Sequence, residues 1–372
     1  MTKKCNIALM CGGESSECEV SIGSALNVLS HIDRELFTPY LVFIGKTNWY
    51  VVKGEEFGFS YEKVEFTSED VMFAAKDYSY ANLFEGAEAS ESKKQHVKLQ
   101  LIKVDQTEFG ACISEGENGF VKFEKALVMV HGRPGENGLL QGYLEMKKVP
   151  FFSCSSYVSA ITFDKHSCKR FLDFAGVKMG RDMFIRQEVP FSKREIIRQI
   201  GLPMFVKPTV GGSSFGVSKV KSEAELDAAL EAAFQECPMI LAEQAIAGRE
   251  VTCGVYSLHG KVVKLPVTEI VTEREFFDYE AKYLGESQEI CPAPISLGLS
   301  TKIQNLSEHI YNYMGCSGIV RMDYIVTPNE DVYFLEVNTI PGMTRMSLVP
   351  KMLEVAGIEL KGLLTDLLQS AA

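Results

Sequence analysis

The sequence predicts a mixed α/β protein of three consecutive α/β domains, and three observations carry that expectation. Strand-like apolar runs alternate with helical repeats from the first residues onward. The alternation restarts twice, near 153 and near 250. The 372 residues, set against about 150 per domain, leave room for two or three cores.

Composition narrows the class further. With 46% hydrophobic and 23% charged residues and no low-complexity tract, disordered and fibrous classes drop out. Lys and Arg number 38 against 49 Asp and Glu, giving a net charge of −11, and basic residues never run beyond a pair. A broad grip on a nucleic-acid backbone is therefore excluded, and an anionic ligand must be met by local cations. Ten scattered cysteines with no Cys-x-x-Cys pair predict reduced thiols rather than a disulfide framework. The apolar stretch after Lys3-Lys4 is too short for a signal segment, and nothing reaches the ~18 apolar residues of a membrane span, so no membrane partner and a cytoplasmic location are expected.

In the first domain, 1–153, a strand over Asn6–Met10 leads through Gly12-Gly13 into a helix over Glu17–Ser30. Its apolar positions Ile22, Ala25, Leu26 and Leu29 repeat at helical spacing, and Ser16 with Glu19 predicts a capping box. Strands over Tyr40–Ile44 and Ala126–Val130 each precede a glycine-bearing loop, as ligand loops do in open α/β sheets. Between them, about 45–125 reads as an insertion with β-like stretches and no legible chemistry. The second domain, 154–250, holds two short helices and strands over Met204–Lys207, Val217–Val220 and Met239–Glu243, with a capping box in Ser222 and Glu225. The third, 251–372, holds long strands over Val251–Leu258 and Lys261–Val267, a helix over Thr301–Met314, a hairpin over Gly318–Thr339 and closing helices.

Four clusters bear on chemistry. Gly12-Gly13 ahead of a helix suggests an anion site, but Glu14, Glu17 and Glu19 would repel an anion. Either the turn is structural or Glu17 receives a cation such as a substrate ammonium. The run Lys207 to Gly216, with Gly211-Gly212-Ser213-Ser214, sits between two strands, so its amides and Lys207 suit phosphate oxygens; a plain surface hairpin is the alternative. In the hairpin Ile319–Asn338, a turn centred between Asn329 and Glu330 sets Asp323 opposite Glu336 and Arg321 opposite Asn338. All four then share one face, Ile325 lies beside Phe334, and Met322, Tyr324, Tyr333 and Val337 take the other face. Opposed carboxylates repel unless a cation lies between them, and oxygen donors from Asp323, Glu336 and Asn338 suit Mg²⁺; the alternative is neutralisation by Arg321. After Asn338, Pro341-Gly342 offers a backbone N–H and Ser347 opens a helix, as an oxyanion or carboxylate site or as an ordinary cap.

Glu243, Glu250, the segment Phe276 to Tyr283 and the His131 to Gly138 loop are each unremarkable when read alone. In this order, the Gly-Gly and Glu17 loop, the His131 loop, Lys207 with Gly-Gly-Ser-Ser, Glu243 to Glu250, Asp-Tyr-Glu-Ala-Lys-Tyr, Arg-x-Asp and Glu-Val-Asn-Thr-x-Pro-Gly-Met-Thr resemble the D-alanine–D-alanine ligase family of the ATP-grasp superfamily. The likeness spans 1–44 and 126 to the end. It implies a Rossmann-like open sheet followed by a two-domain ATP-grasp fold, and ATP-driven joining of two D-alanines for peptidoglycan precursors.

By resemblance, Lys165, Lys207 and Lys282 would contact phosphates under the Ser213-Ser214 loop, with Phe276 also at the nucleotide. Glu243, Gln244 and Ile246 would present mainly backbone groups to adenine, Glu250 would bind the ribose, and Ile325 and Leu335 would flank the base. The last assignment requires a bulge that strict alternation lacks. Asp323, Glu336 and Asn338 would hold two Mg²⁺, for which Mn²⁺ can substitute. Glu17 would bind the first ammonium within a set including Ser213 and Tyr283, while Arg321 and the Gly342 N–H would stabilise the oxyanion. His131, Ser347 and Leu348 would bind substrate, and the family implies a homodimer. Departures are Asn137, Gln244 and the block about 53–96, none of which removes a catalytic group. Other readings are a different ATP-grasp carboxylate–amine ligase, a D-alanine–D-serine or D-lactate ligase, or a non-catalytic nucleotide-binding module.

Overall fold

The computed structural model describes residues 3–54, 67–76, 99–113, 119–212, 215–272 and 287–370. The chain is mixed α/β and divides into two compact units, Met1–Ser156 with Ile340–Ala372, and Tyr157–Thr339. All ten cysteines are free, and among the described residues no helix is long and apolar enough to cross a membrane.

In the first unit, β1 (Cys5–Gly12) is joined by α1 (Cys18–His31) to the parallel strand β2 (Phe37–Ile44). Ile7 to Cys11 and Leu41 to Ile44 are almost fully buried, as a strand covered on both faces requires. The inserted block supplies β3 (Trp49–Gly54), α2 (Ser68–Lys76), β4 (Leu99–Asp105), β5 (Gly110–Cys112) and β6 (Phe120–Lys122). Then come β7 (Lys125–Val128), α3 (Leu139–Lys147) and β8 (Phe151–Phe152), completing an eight-stranded sheet of order β6-β5-β4-β3-β2-β1-β7-β8. The insertion therefore extends one edge of the sheet with antiparallel strands. The expected capping box at α1 does not form: Glu17 occupies the N-cap with no side-chain cap bond. Instead the Ser15 hydroxyl accepts from the Glu17 amide at 3.3 Å and donates to the His131 carbonyl at 2.8 Å.

The second unit opens with α4 (Ser156–Phe163) at the boundary and α5 (Lys165–Asp173). Next follow β9 (Asp182–Arg186), α6 (Lys193–Ile200), β10 (Met204–Pro208), β11 (Ser218–Val220), α7 (Leu226–Glu236) and β12 (Met239–Gln244). The four strands form a sheet of order β11-β10-β12-β9. Helices α6 and α7 supply Ile196, Ile200, Leu226 and Leu230 to a core with Val206, Ile240 and Ala242, so one face of this sheet is apolar. The expected Ser222–Glu225 box forms only in part: Ser222 holds the N-cap position with no side-chain cap bond, and the Glu225 carboxylate accepts from the Lys221 amide at 2.7 Å and the Ser222 hydroxyl at 3.0 Å.

A larger sheet follows from β13 (Arg249–Leu258), β14 (Lys261–Lys264), β15 (Thr268–Thr272), β16 (Ser287–Ile290), α8 (Leu297–Met314), β17 (Ile319–Val326) and β18 (Val332–Asn338). Its order is β16-β15-β13-β17-β18, with β14 on β13. Helix α8 starts four residues earlier than its apolar repeat suggests, because Ser296 caps it by accepting from the Leu299 amide at 3.1 Å.

The tail differs from the expected third domain over 251–372. Ile340 joins the core of the first unit, and α9 (Leu348–Val355) and α10 (Leu360–Ser370) belong to that unit. Lys125 Nζ donates to the Leu368 carbonyl at 2.6 Å. Apolar spacing reveals that these helices must cover something; it does not specify which sheet.

Candidate active site

In the four-stranded sheet, the face opposite the α6–α7 core carries Asp182, Lys207 and Glu243 among Phe184, Phe205 and Leu241. Register sets Asp182 opposite Glu243, a pairing that repels unless compensated. Three cations compensate it. Lys169 and Lys207 pair with the two oxygens of Glu243. Lys169 also lies 3.4 Å from Asp182, and Arg170 reaches the same oxygen at 2.6 Å. Burial works against the Glu243 charge, but the two lysines outweigh it and hold the carboxyl down at about 2. Burial likewise opposes the Lys207 ammonium, yet Glu243, with Glu336 and Asp182 adding to it, keeps its pKa above the ordinary lysine value. Lys165 opens α5 and donates to the Gly211 carbonyl at 2.9 Å, tying the glycine loop to the helix start. At the end of β12, Gln244 accepts from Arg181 Nε at 3.3 Å, while the Gln244 and Ala245 amides donate to the Arg181 and Pro203 carbonyls. Ile246 and Glu250 follow, both half-buried.

The hairpin of β17 and β18 pairs Asp323 with Glu336 and Arg321 with Asn338, as expected from alternation. Beyond Asp323 the register shifts: Tyr324 faces Phe334 and Ile325 faces Tyr333, leaving Leu335 as an unopposed bulge residue. The expected pairing of Ile325 with Phe334 is thus corrected. Phe334 packs edge-on to Tyr324, ring centroids 6.2 Å apart, and is buried with it. Tyr333, expected on that apolar face, stands on the Ile325 side instead. The bulge also brings Leu335 beside Glu336. On the neighbouring strand, Thr252 pairs with Asp323 and Glu250 with Ile325. One face therefore carries Glu250, Arg321, Asp323, Ile325, Glu336 and Asn338.

Asp323 is 4% exposed and accepts four bonds: Thr252 Oγ1 at 2.6 Å, Arg321 Nε and Nη2 each at 2.9 Å, and Asn338 Nδ2 at 3.0 Å. No group of three or more His, Cys, Asp and Glu that could hold a metal occurs among the described residues; the hairpin offers two carboxylates and an amide. The Cys168 thiol is pushed up to about 12 by burial first and by Glu336 second.

In the first unit, the amides of Gly12, Gly13 and Glu14 donate to Ser21 Oγ, the Ile44 carbonyl and the Arg133 carbonyl. With these N–H groups taken, the Gly12-Gly13 turn is structural, and a Cβ on Gly13 would fall 2.7 Å from Val130. It delivers Glu17 to the head of α1. Ser24 on α1 joins two loops: its hydroxyl lies 3.3 Å from His131 Nε2 and accepts from the Met343 amide at 3.0 Å. Asn27, one turn on, donates to the Met343 carbonyl at 2.7 Å. A Cβ on Gly342 would stand 2.8 Å from Ser347 Oγ, so a side chain there would displace that hydroxyl. Ser347 precedes α9 without capping it; its hydroxyl is 2.7 Å from that of Thr344 and accepts from the Thr344 amide. Leu348 is buried behind it.

Ser213, Ser214, Phe276, Lys282 and Tyr283 lie outside the described residues. Sequence reasoning missed Lys169, Asp182, Thr252, Ser24 and Asn27. The available signal was Asp182, a charge at the first position of a strand-like run; the others emerge only through partners far apart in the chain.

Comparison with known proteins matches both halves in order. The family model for the D-ala D-ala ligase N-terminus covers residues 6–154, and that for the D-ala D-ala ligase C-terminus covers 172–369. A D-alanine–D-alanine ligase of Phocaeicola vulgatus is 38% identical over 368 residues, 99% of each chain. Among solved structures, the D-Ala:D-Ser ligase VanG from Enterococcus faecalis aligns with a TM-score of 0.79 at 30% identity over the whole of both chains. D-alanyl-alanine synthetase A from Vibrio cholerae aligns at 0.79 and 26%, covering 100% of this chain and 99% of its own. With both halves matched and a relative similar along its full length, the chain belongs to the D-alanine–D-alanine ligase family, ATP-dependent enzymes of the ATP-grasp fold.

Proposed function

We propose that this chain joins two D-alanines into D-alanyl-D-alanine through an acyl phosphate, releasing ADP and phosphate, in the cytoplasm and as a homodimer, for peptidoglycan precursor synthesis. The observation that carries the reading is the bulge at Leu335, which sets Leu335 and Ile325 on the face of Asp323, Glu336 and Asn338. An apolar patch for a base then adjoins a polar patch for phosphates.

In the second unit, Lys165 and Lys207, with Lys282, neutralise the phosphates under the Ser213-Ser214 loop. Glu250 takes the ribose hydroxyls, and the backbone from Glu243 through Gln244 to Ile246, with Phe276, Ile325 and Leu335, takes the base. The donors on the hairpin face fit Mg²⁺: Asp323 and Glu336 face each other, and Asn338, giving its amide nitrogen to Asp323, has an oxygen to offer. Two Mg²⁺, or Mn²⁺ in their place, supply charge neutralisation to the transferring phosphoryl group when bound.

In the first unit, Glu17 receives the ammonium of the first D-alanine and His131 helps to orient it. Its carboxylate oxygen attacks the γ-phosphorus, the bond to the β,γ-bridging oxygen breaks and ADP departs. Ser347 and the Leu348 N–H hold the carboxylate of the second D-alanine. Its amine, having passed a proton to the network of Tyr283, Ser213 and Glu17, attacks the acyl carbon; Arg321 and the Gly342 N–H stabilise the oxyanion until phosphate leaves with the electron pair.

Phosphate release from ATP, with D-alanine, L-alanine, D-serine and D-lactate offered separately, tests the reading. Release with D-alanine is expected, and its absence refutes the function. Equal D-alanine and D-lactate at pH 7 should give the dipeptide, because a phenol of pKa about 10 has no cationic form to repel the incoming ammonium. A predominance of ester refutes the role of Tyr283.

A further inference from the structure

Glu243 is held by two lysines that differ in what else they can do. The Lys169 side chain is 2% exposed; it also donates to the Gly180 carbonyl at 3.1 Å and lies 3.4 Å from Asp182. Its charge is committed to the interior. The Lys207 side chain is 14% exposed and stands at the end of β10, where the glycine loop begins. Arg170 also reaches Asp182, and its other contact is the exposed Asp173 at 4.0 Å, so the buried Glu243 is served by the two lysines alone.

We propose that Lys169 is a positioning residue for ATP, keeping Glu243 paired so that Lys207 can turn from that carboxylate to the phosphates. The inference rests on the reading of Lys207 as a phosphate contact. Once Lys207 has moved, Lys169 and Arg170 still balance Glu243 and Asp182, two charges against two. Without Lys169, the same movement strands a carboxylate that is 5% exposed with no cation on it. An uncompensated buried charge is costly enough to keep Lys207 in place. The second lysine on Glu243 is therefore what makes Lys207 available.

The test measures equilibrium binding of ATP with Mg²⁺ to the full chain, together with kcat and KM for ATP. Lys169→Met is expected to weaken binding about tenfold or more, KM rising by a larger factor than kcat falls, since a charged hydrogen-bond network is lost. Lys169→Arg, which keeps a cation on Glu243, should lose less affinity than Lys169→Met. Adding Glu243→Gln to Lys169→Met should restore affinity, because a neutral amide no longer detains Lys207; a merely structural role for Lys169 predicts no such recovery. Where Lys169→Met does not fold, Glu243→Gln with and without Lys169→Met puts the same question, and equal ATP affinities are expected. Wild-type affinity in Lys169→Met, no recovery in the double variant, or unequal affinities in the Glu243→Gln background overturns the proposal. Lys207→Met separates the two layers: if it binds ATP normally, the phosphate role of Lys207 falls and this inference with it. If Lys207→Met weakens binding and Lys169→Met does not, this inference alone falls.

Discussion

At the Glu243 carboxylate, desolvation and ion pairing oppose one another, and pairing prevails because two ammonium groups share one carboxylate. The group falls from its ordinary 4.5 to about 2, so the folded chain keeps it charged while the unfolded chain protonates it first. Its contribution to stability is complete above about pH 4.5 and is lost as the pH falls toward 2, on the order of 3 kcal/mol in all. Denaturant unfolding at pH 5 and pH 2.5 should show that loss, and Glu243→Gln should flatten it. An unchanged pH dependence in the variant would mean the carboxyl is not depressed. From the sequence, Glu243 reads as ordinary surface or as a nucleotide contact, because Lys169 is 74 residues away and no local pattern links the two.

Among the elements, the β17–β18 hairpin was the most legible, and the reason is period two. Alternation with opposed carboxylates is enough to pair Asp323 with Glu336 and Arg321 with Asn338. Near its tip the hairpin is one residue away from the expected register, and the bulge at Leu335 brings it back, so the pairs Asp323–Glu336 and Arg321–Asn338 are as expected while Ile325, Tyr333 and Phe334 are misplaced. Nothing in the run Phe334-Leu335-Glu336 marks a bulge; packing of Phe334 against Tyr324 selects it. Glu336→Gln keeps the shape of the strand and removes one of the two facing charges. It should leave the unfolding midpoint within a few degrees and abolish turnover supported by Mg²⁺. Near-normal turnover would sink the metal assignment. At 342 a side chain would press on the Ser347 hydroxyl, but the sequence alone offers several reasons for a glycine after a proline.

For the whole molecule, the tail is the decisive feature. Leu363, Leu364, Leu367 and Leu368 are each at most 4% exposed, and full burial of such a side chain is worth about 1.5–3 kcal/mol. Four of them match the total stability of a typical domain, about 5–15 kcal/mol. A chain ending at Thr339 should therefore lose the first unit while keeping the second, whose residues run without interruption. Hydrogen exchange checks this: protection should vanish in β1 and β2 and persist in β13 and β17. Protected β1 amides in the shortened chain would show that the tail is dispensable.

The sequence by itself determined the α/β class, the strands that bear Lys207, Asp323 and Glu336, and the order of motifs that marks the family, because period, charge and turn chemistry are local. Tertiary structure decided the partners: that the insertion extends a sheet, that Leu335 bulges, that Lys169 answers Glu243, and that the last helices return to the first unit. Those choices depend on which surfaces meet, and contacts between residues far apart in the chain leave no periodic trace in it.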